Sequence, residues 1–141
     1  MIRDLDHINI ATPILTETRD FWRDVMGLTE RWRPDFPFDG HWLYAGDRPV
    51  VHLMERPTAG VGSDQATLNH VAFAITDIAA ARARLTALDV AFREIGVPNA
   101  PILQLFLRDP NGIAIELNYL GAETARARSD PAALLPHGGQ G

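Results

Sequence analysis

The chain contains no cysteine. That absence excludes disulfides, thiolate nucleophiles and thiolate-bound zinc or iron–sulfur clusters. Any metal would have to be held by imidazoles and carboxylates, a donor set that suits iron(II), manganese, nickel, cobalt or zinc. Long apolar runs are also missing, so no segment reads as a membrane span. Basic charge is scarce: 13 basic residues stand against 18 acidic ones, for a formal charge of −5. A nucleic-acid partner, which demands a basic footprint, is therefore not expected. Met1-Ile2-Arg3-Asp4-Leu5-Asp6 places charges where a secretion signal needs an apolar stretch, and a cytoplasmic location is the expectation. What is present is ordinary for a globular chain: 141 residues, 46% hydrophobic and 22% charged, enough for one domain with a sizeable core.

The chain repeats itself. Leu5-Asp6-His7-Ile8-Asn9-Ile10 reads like Leu68-Asn69-His70-Val71-Ala72-Phe73, 63 residues later. A helical stripe follows each run, roughly Leu15 to Met26 and Ile78 to Leu88, with Thr16 or Thr18 and Thr76 or Asp77 as candidate caps. Three short strands follow in each half. In the first they are Thr29 to Trp32, His41 to Ala45 and Pro49 to Met54. In the second they are Ala91 to Ile95, Ile102 to Leu107 and Gly112 to Leu117. Turn-forming stretches, 45–49 and 108–112, separate the last two strands of each half. The final strands align as well, with His52 over Glu116. The fold class expected is α+β, from two paired β-α-β-β-β modules. Module one covers 1–56, a Gly/Thr/Ser/Pro-rich linker 57–65, and module two 66–120. A partly flexible tail, 121–141, is expected to hold a short helix near 122–128, and His137 there reads as tail composition.

Alternation along the strands sorts the side chains by face. His7 and Asn9 oppose Ile8 and Ile10. His70, Ala72 and Ala74 oppose Val71, Phe73 and Ile75. Val50, His52 and Met54 oppose Val51 and Leu53, and Ala114, Glu116 and Asn118 oppose Ile113, Ile115 and Leu117. Each strand thus has one apolar side and, on the other, a single ionisable group. A buried imidazole or carboxylate is costly unless it is paired or binds an ion. His7, His70 and Glu116 are therefore candidate ligands in a 2-His-1-carboxylate arrangement that leaves positions open for substrate. His52 is a candidate fourth ligand, acid–base group or outer support. His41 reads as structural or substrate-facing, and Asn9 and Asn118 as outer supports or tolerated polar residues.

On these residues the sequence resembles the vicinal oxygen chelate superfamily, which includes glyoxalase I, methylmalonyl-CoA epimerase, fosfomycin-resistance transferases, bleomycin-resistance proteins and extradiol dioxygenases. The resemblance runs from about Ile2 to Leu120. It rests on Leu5-Asp6-His7-Ile8, on 68–73 and on Asp109-Pro110-Asn111-Gly112 through Leu117. It implies curved sheets cupping a metal, with His7, His70 and Glu116 on the ligand positions. It also implies a homodimer whose site often joins modules of two subunits. His52 stands where glyoxalase-type members often carry a glutamate. The chemistry implied is a glyoxalase-like lyase or isomerase: a small substrate with vicinal oxygens chelates the ion, which stabilises an enediolate while His52 moves the proton. The alternatives are an iron(II) ring-cleaving dioxygenase and a non-catalytic binding protein that stacks a flat ligand on Trp32, Trp42 and Tyr44. A thiol transferase would need a cation-lined pocket, for which Arg31 and Arg93 are the candidates.

Overall fold

The computed structural model describes residues 1–130. The chain forms β1 (Ile8–Thr12), α1 (Leu15–Asp20) running on as a π-helical turn (Phe21–Val25), β2 (Thr29–Arg31), β3 (Gly40–Ala45) and β4 (Arg48–Glu55). After a 3-10 turn at Ser63–Gln65 come β5 (Val71–Ile75), α2 (Ile78–Ala87), β6 (Arg93–Gly96), β7 (Ile102–Arg108), β8 (Ala114–Leu120) and α3 (Ala122–Ser129). Two mixed four-stranded sheets result, ordered β1-β4-β3-β2 and β5-β8-β7-β6. In each, the first strand lies parallel to the last and the others pair antiparallel. The expected pair of β-α-β-β-β modules is what the structure contains. The remaining tail, His137 included, lies outside the described residues.

Local chemistry explains where the elements begin. Asp77 caps α2 by accepting the Ala80 amide at 2.9 Å. Neither Thr16 nor Thr18 caps α1. Both lie inside the helix, where the Thr18 hydroxyl donates to the Ile14 carbonyl, and Thr12 Oγ1 accepts the Ile14 amide instead. Pro13 separates β1 from the helix, so the polar group closing the turn comes from the strand end. The π-helical turn adds a residue to the helix register, with Met26 N–H donating to the Phe21 carbonyl at 3.2 Å, and it turns Trp22 fully inward. β1 and β5 begin one residue after His7 and His70, so both histidines stand at strand entrances rather than mid-strand.

The apolar faces of the two modules meet. Trp22, Leu43 and Val51 of module one and Leu85, Leu105 and Ile115 of module two belong to one buried cluster, with Trp22 edge-on to Phe73 at 5.7 Å. A polar joint lies beside that cluster. Asp109, buried in the β7–β8 turn, accepts from the Asn111 and Ile113 amides at 2.8 and 2.9 Å, and from Trp22 Nε1 at 3.3 Å. Asn111 accepts the Thr12 hydroxyl at 2.6 Å and donates to Thr18 Oγ1 at 3.0 Å. Gly112, at φ +79°, makes the turn possible. Arg84 of α2 adds hydrogen bonds to the Asp24 carbonyl. The Asp-Pro-Asn-Gly stretch is thus the fastening between modules.

Replacing Trp22 with alanine would remove both the cluster's largest side chain and a donor to Asp109. The expected loss is about 3–5 kcal/mol of unfolding free energy, read as a lower urea midpoint.

Candidate metal centre

With the apolar faces joined, the ionisable faces turn outward, one on each sheet. In module one the register puts Asn9, His52, Trp42 and Arg31 on one line across β1-β4-β3-β2. In module two the same line reads Ala72, Glu116, Phe106 and Arg93 across β5-β8-β7-β6. His52 and Glu116 occupy corresponding places on the two sheets.

The module-one half-site is a stack of rings. His7 lies parallel to His52 at 3.7 Å between centroids, and His52 lies parallel to Trp42 at 4.0 Å. Trp32 meets Trp42 edge-on at 5.8 Å. His52 is 8% exposed, and its Nε2 has no hydrogen-bond partner. An orphaned buried nitrogen is costly unless something outside the chain satisfies it. Burial, and after it the charge of His7, pushes the His52 imidazole below its ordinary value, so it is neutral near pH 7. Because the two imidazole planes differ by only 13°, their in-plane lone pairs lie in two near-parallel layers 3.7 Å apart at the ring centres rather than in planes that cross at a steep angle.

The module-two half-site is a carboxylate and an imidazole. Glu116 is buried, receives Gln104 Nε2 at 2.5 Å on Oε1, and presents Oε2 to His70 Nε2 at 3.1 Å. Gln104 also donates to Asn118 Oδ1 at 3.0 Å. His70 Nδ1 is bonded to Asn69 Oδ1 at 2.8 Å, and His7 Nδ1 to Asp6 Oδ2 at 2.6 Å. The hydrogen bond from His7 holds the Asp6 carboxyl below the usual carboxylate range. Each repeat therefore ties Nδ1 to the preceding side chain and leaves Nε2 for another partner, as imidazole ligands to metals are commonly held. With its proton on Nδ1, His70 meets Glu116 lone pair to lone pair unless a cation, a proton or a metal ion, lies between them. A separation of 3.1 Å is that of a hydrogen bond, and it also places an imidazole and a carboxylate close enough that both could hold one divalent ion. The residues present thus fit a divalent ion.

The four expected site residues fall into two pairs, His7 with His52 and His70 with Glu116. Among the described residues, no group of three or more such side chains is positioned to hold one ion. A cleft of about 160 Å³ nevertheless has both Asn9 of β1 and His70 on its walls. His41 is structural: it projects from the opposite face of β3 to Trp42 and pairs with Glu30 at 2.5 Å. Sequence reading missed Gln104, Asp6 and Asn69. The latter two were visible as matched polar residues before each histidine.

The sequence profile of the Glyoxalase/Bleomycin resistance protein/Dioxygenase superfamily matches residues 4–117. None of the curated proteins matches the chain. Several solved structures share the fold. A glyoxylase/bleomycin resistance protein/dioxygenase domain from Frankia sp. superposes with TM-score 0.70 at 18% identity, over 86% of this chain and 99% of its own. A variant of the genomically encoded fosfomycin resistance protein from Listeria monocytogenes, complexed with manganese(II) and a dihydroxypropylphosphonic acid, gives 0.69 at 20% identity over 89% and 98%. Lactoylglutathione lyase from Agrobacterium tumefaciens gives 0.64 at 19% over 84% and 95%. At these identities the likeness establishes the fold alone.

In metal-stripped protein, the stability tied to keeping His52 neutral is whole above about pH 6.5, the value of an unfolded histidine. Below that the unfolded chain takes up the proton first, and stability falls as pH drops towards the lowered native value. His52→Phe, which keeps a ring in the stack, should flatten that limb in urea titrations compared at neutral and mildly acidic pH.

Proposed function

The chain belongs to the Glyoxalase/Bleomycin resistance protein/Dioxygenase superfamily, and on that premise we propose that it is a metal-dependent enzyme acting on a small substrate with two adjacent oxygens, a lyase or isomerase of glyoxalase type. The observation that carries this reading is the facing pair of His70 Nε2 and Glu116 Oε2, together with the matching, backed imidazole of His7. His7, His70 and Glu116 would hold the ion. When bound, it supplies Lewis acidity to the substrate's oxygens. The manganese(II) in the Listeria protein's complex supports a divalent ion in this fold.

His52 takes the proton. Its imidazole is neutral, and its Nε2 is buried, unpartnered and on the ligand face; once substrate displaces what covers it, that nitrogen can accept a proton from a carbon beside a carbonyl and return it to the neighbouring atom. The parallel stacking on His7 favours this role over ligation. Trp42 walls the other side of His52 and keeps water from that face. Gln104 fixes the Glu116 carboxylate from behind.

The whole site is proposed to lie between two copies, His7 and His52 of one meeting His70 and Glu116 of the other. What supports this is the outward, separate placement of the two pairs once the apolar faces are joined. A second reading, iron(II)-dependent ring cleavage, draws on the aromatic wall of Trp42 and Trp32, which suits a flat substrate.

Purified protein should bind one divalent ion per chain, and His7→Ala, His70→Ala or Glu116→Gln should each abolish it by elemental analysis. His52→Ala should keep the ion and lose proton exchange on 2-oxo substrates; loss of the ion would make His52 a ligand. Mixed dimers of His7→Ala and Glu116→Gln chains should regain one ion per dimer, whereas a site within one chain would regain none. Asn69→Ala should weaken manganese binding roughly 10-fold or more by calorimetry. Iron dependence with consumption of O₂ on catechols would select the second reading.

A further inference from the structure

The two equivalent lines across the sheets end alike, in an arginine on the edge strand beyond an aromatic ring. The two arginines are employed differently. Arg31 donates to the Gly46 carbonyl at 3.1 Å and lies over the Tyr44 ring. Arg93 lies over the Phe106 ring, its guanidinium carbon 5.6 Å from the centroid, and among the described residues no carboxylate pairs with it. Its neighbour Glu94 projects from the other face of β6 and is taken bidentately by Arg82 of α2, at 2.7 and 2.6 Å. The acid beside Arg93 on β6 is therefore withdrawn from it, and Asp64, on the wall of the cavity that Arg93 lines, is held by Arg108.

Arg93 also faces space. A cavity of about 720 Å³ has Arg93, Phe106, His70, Asn69 and Arg108 on its walls. Of the two arginines there, Arg108 is engaged by Asp64 at 2.7 Å and by the Gly112 carbonyl. One uncommitted guanidinium thus shares an opening with the candidate ligand His70. Two strand spacings separate Arg93 from Glu116 on the same face, roughly 10 Å between Cα atoms. The guanidinium, resting on Phe106, covers part of that gap.

We propose that Arg93 anchors the substrate through an oxyanion distal to the chelating oxygens: the substrate is a small acid with a carboxylate or similar anionic group at its far end. A guanidinium binds such a group through two parallel N–H donors, and Phe106 holds its plane. The position of the chelating oxygens rests on the metal site proposed above; the anchor itself rests on Arg93, Phe106 and the cavity.

The test compares two probes of equal chain length, 2-oxoglutarate, which has a distal carboxylate, and 2-oxopentanoate, which lacks it. Manganese-loaded protein should bind 2-oxoglutarate roughly 10- to 100-fold more tightly. Arg93→Gln should erase that ratio while leaving manganese and 2-oxopentanoate affinities unchanged. Arg93→Lys should keep part of it, and Arg31→Gln all of it. A ratio that survives Arg93→Gln overturns the anchor and leaves the metal site standing. In metal-stripped protein, the Arg93 Nε–H resonance should move on titration with 2-oxoglutarate. If wild-type protein binds neither manganese nor 2-oxopentanoate, the metal site is what fails. That resonance then still decides the anchor: movement supports it, and an unmoved signal overturns it.

Discussion

The buried contact between Trp22 and the Asp109 turn governs the arrangement of everything else. A tryptophan with no exposed surface and a carboxylate that accepts its indole hydrogen can be satisfied together only if module two's β7–β8 turn sits against module one's helix. Asn111 reinforces that placement by bonding Thr12 and Thr18. The Asn111 and Ile113 amides satisfy Asp109 within its own turn, and the Trp22 indole adds the hydrogen bond that ties that turn to module one. Once the modules meet there, their apolar faces share one core, and strand alternation sends every remaining side chain to the outer faces.

Those outer faces would be solvent-facing sheet surfaces without further purpose, yet they hold the chain's costliest groups. Glu116 is nearly as buried as the core leucines, although it stands on the face opposite to Ile115 and Leu117. Gln104 offsets part of that burial with one hydrogen bond, but the second carboxylate oxygen is aimed at an imidazole nitrogen. On the other module, the His52 nitrogen has nothing to bond. Neither arrangement is the lowest-energy choice for a sheet face that serves only stability. An apolar or fully exposed residue would serve stability better at both places. Buried polar groups in corresponding places on the two halves are what the proposed binding role accounts for.

Much of this was legible in the sequence because two periodicities agreed. The repeat of Asp-His and Asn-His after 63 residues fixed the module count, and alternation within strands fixed which faces carried His52 and Glu116. The helix caps were less legible, since Thr12 closes α1 from a strand end across Pro13, and no local pattern announces a cap from that direction. The Asp-Pro-Asn-Gly turn was readable as a turn but not as a fastening, because its partners Trp22, Thr12 and Thr18 lie more than 80 residues away. Third-strand parity was also beyond sequence. His41-Trp42-Leu43-Tyr44 has bulky residues on both faces, and only pairing with β4 shows that Trp42 joins the His52 stack while His41 turns to Glu30. Whether the ligand pairs meet cannot be read from strand patterns, which place residues on faces but not faces against each other.

The divergence between the repeats has its own logic. If both modules had kept the same residue at the His52 and Glu116 places, the two faces would repel or merely duplicate each other. Two carboxylates would cancel the charge of a divalent ion, and imidazoles alone would leave its full charge uncompensated. One imidazole face and one carboxylate face are complementary instead. In the site proposed above they would leave a divalent ion a net single positive charge, and with it an attraction for substrate oxygens that acquire negative charge. The same divergence reaches the strand edges. Arg31 has become part of its own β3–β4 turn through Gly46, while Arg93 keeps its guanidinium on an open ring face. A duplicated fold thereby becomes directional: one half positions an imidazole between aromatic rings, and the other carries the carboxylate and an arginine that no carboxylate engages among the described residues. In the proposed site the orientation of a bound molecule would follow from that asymmetry.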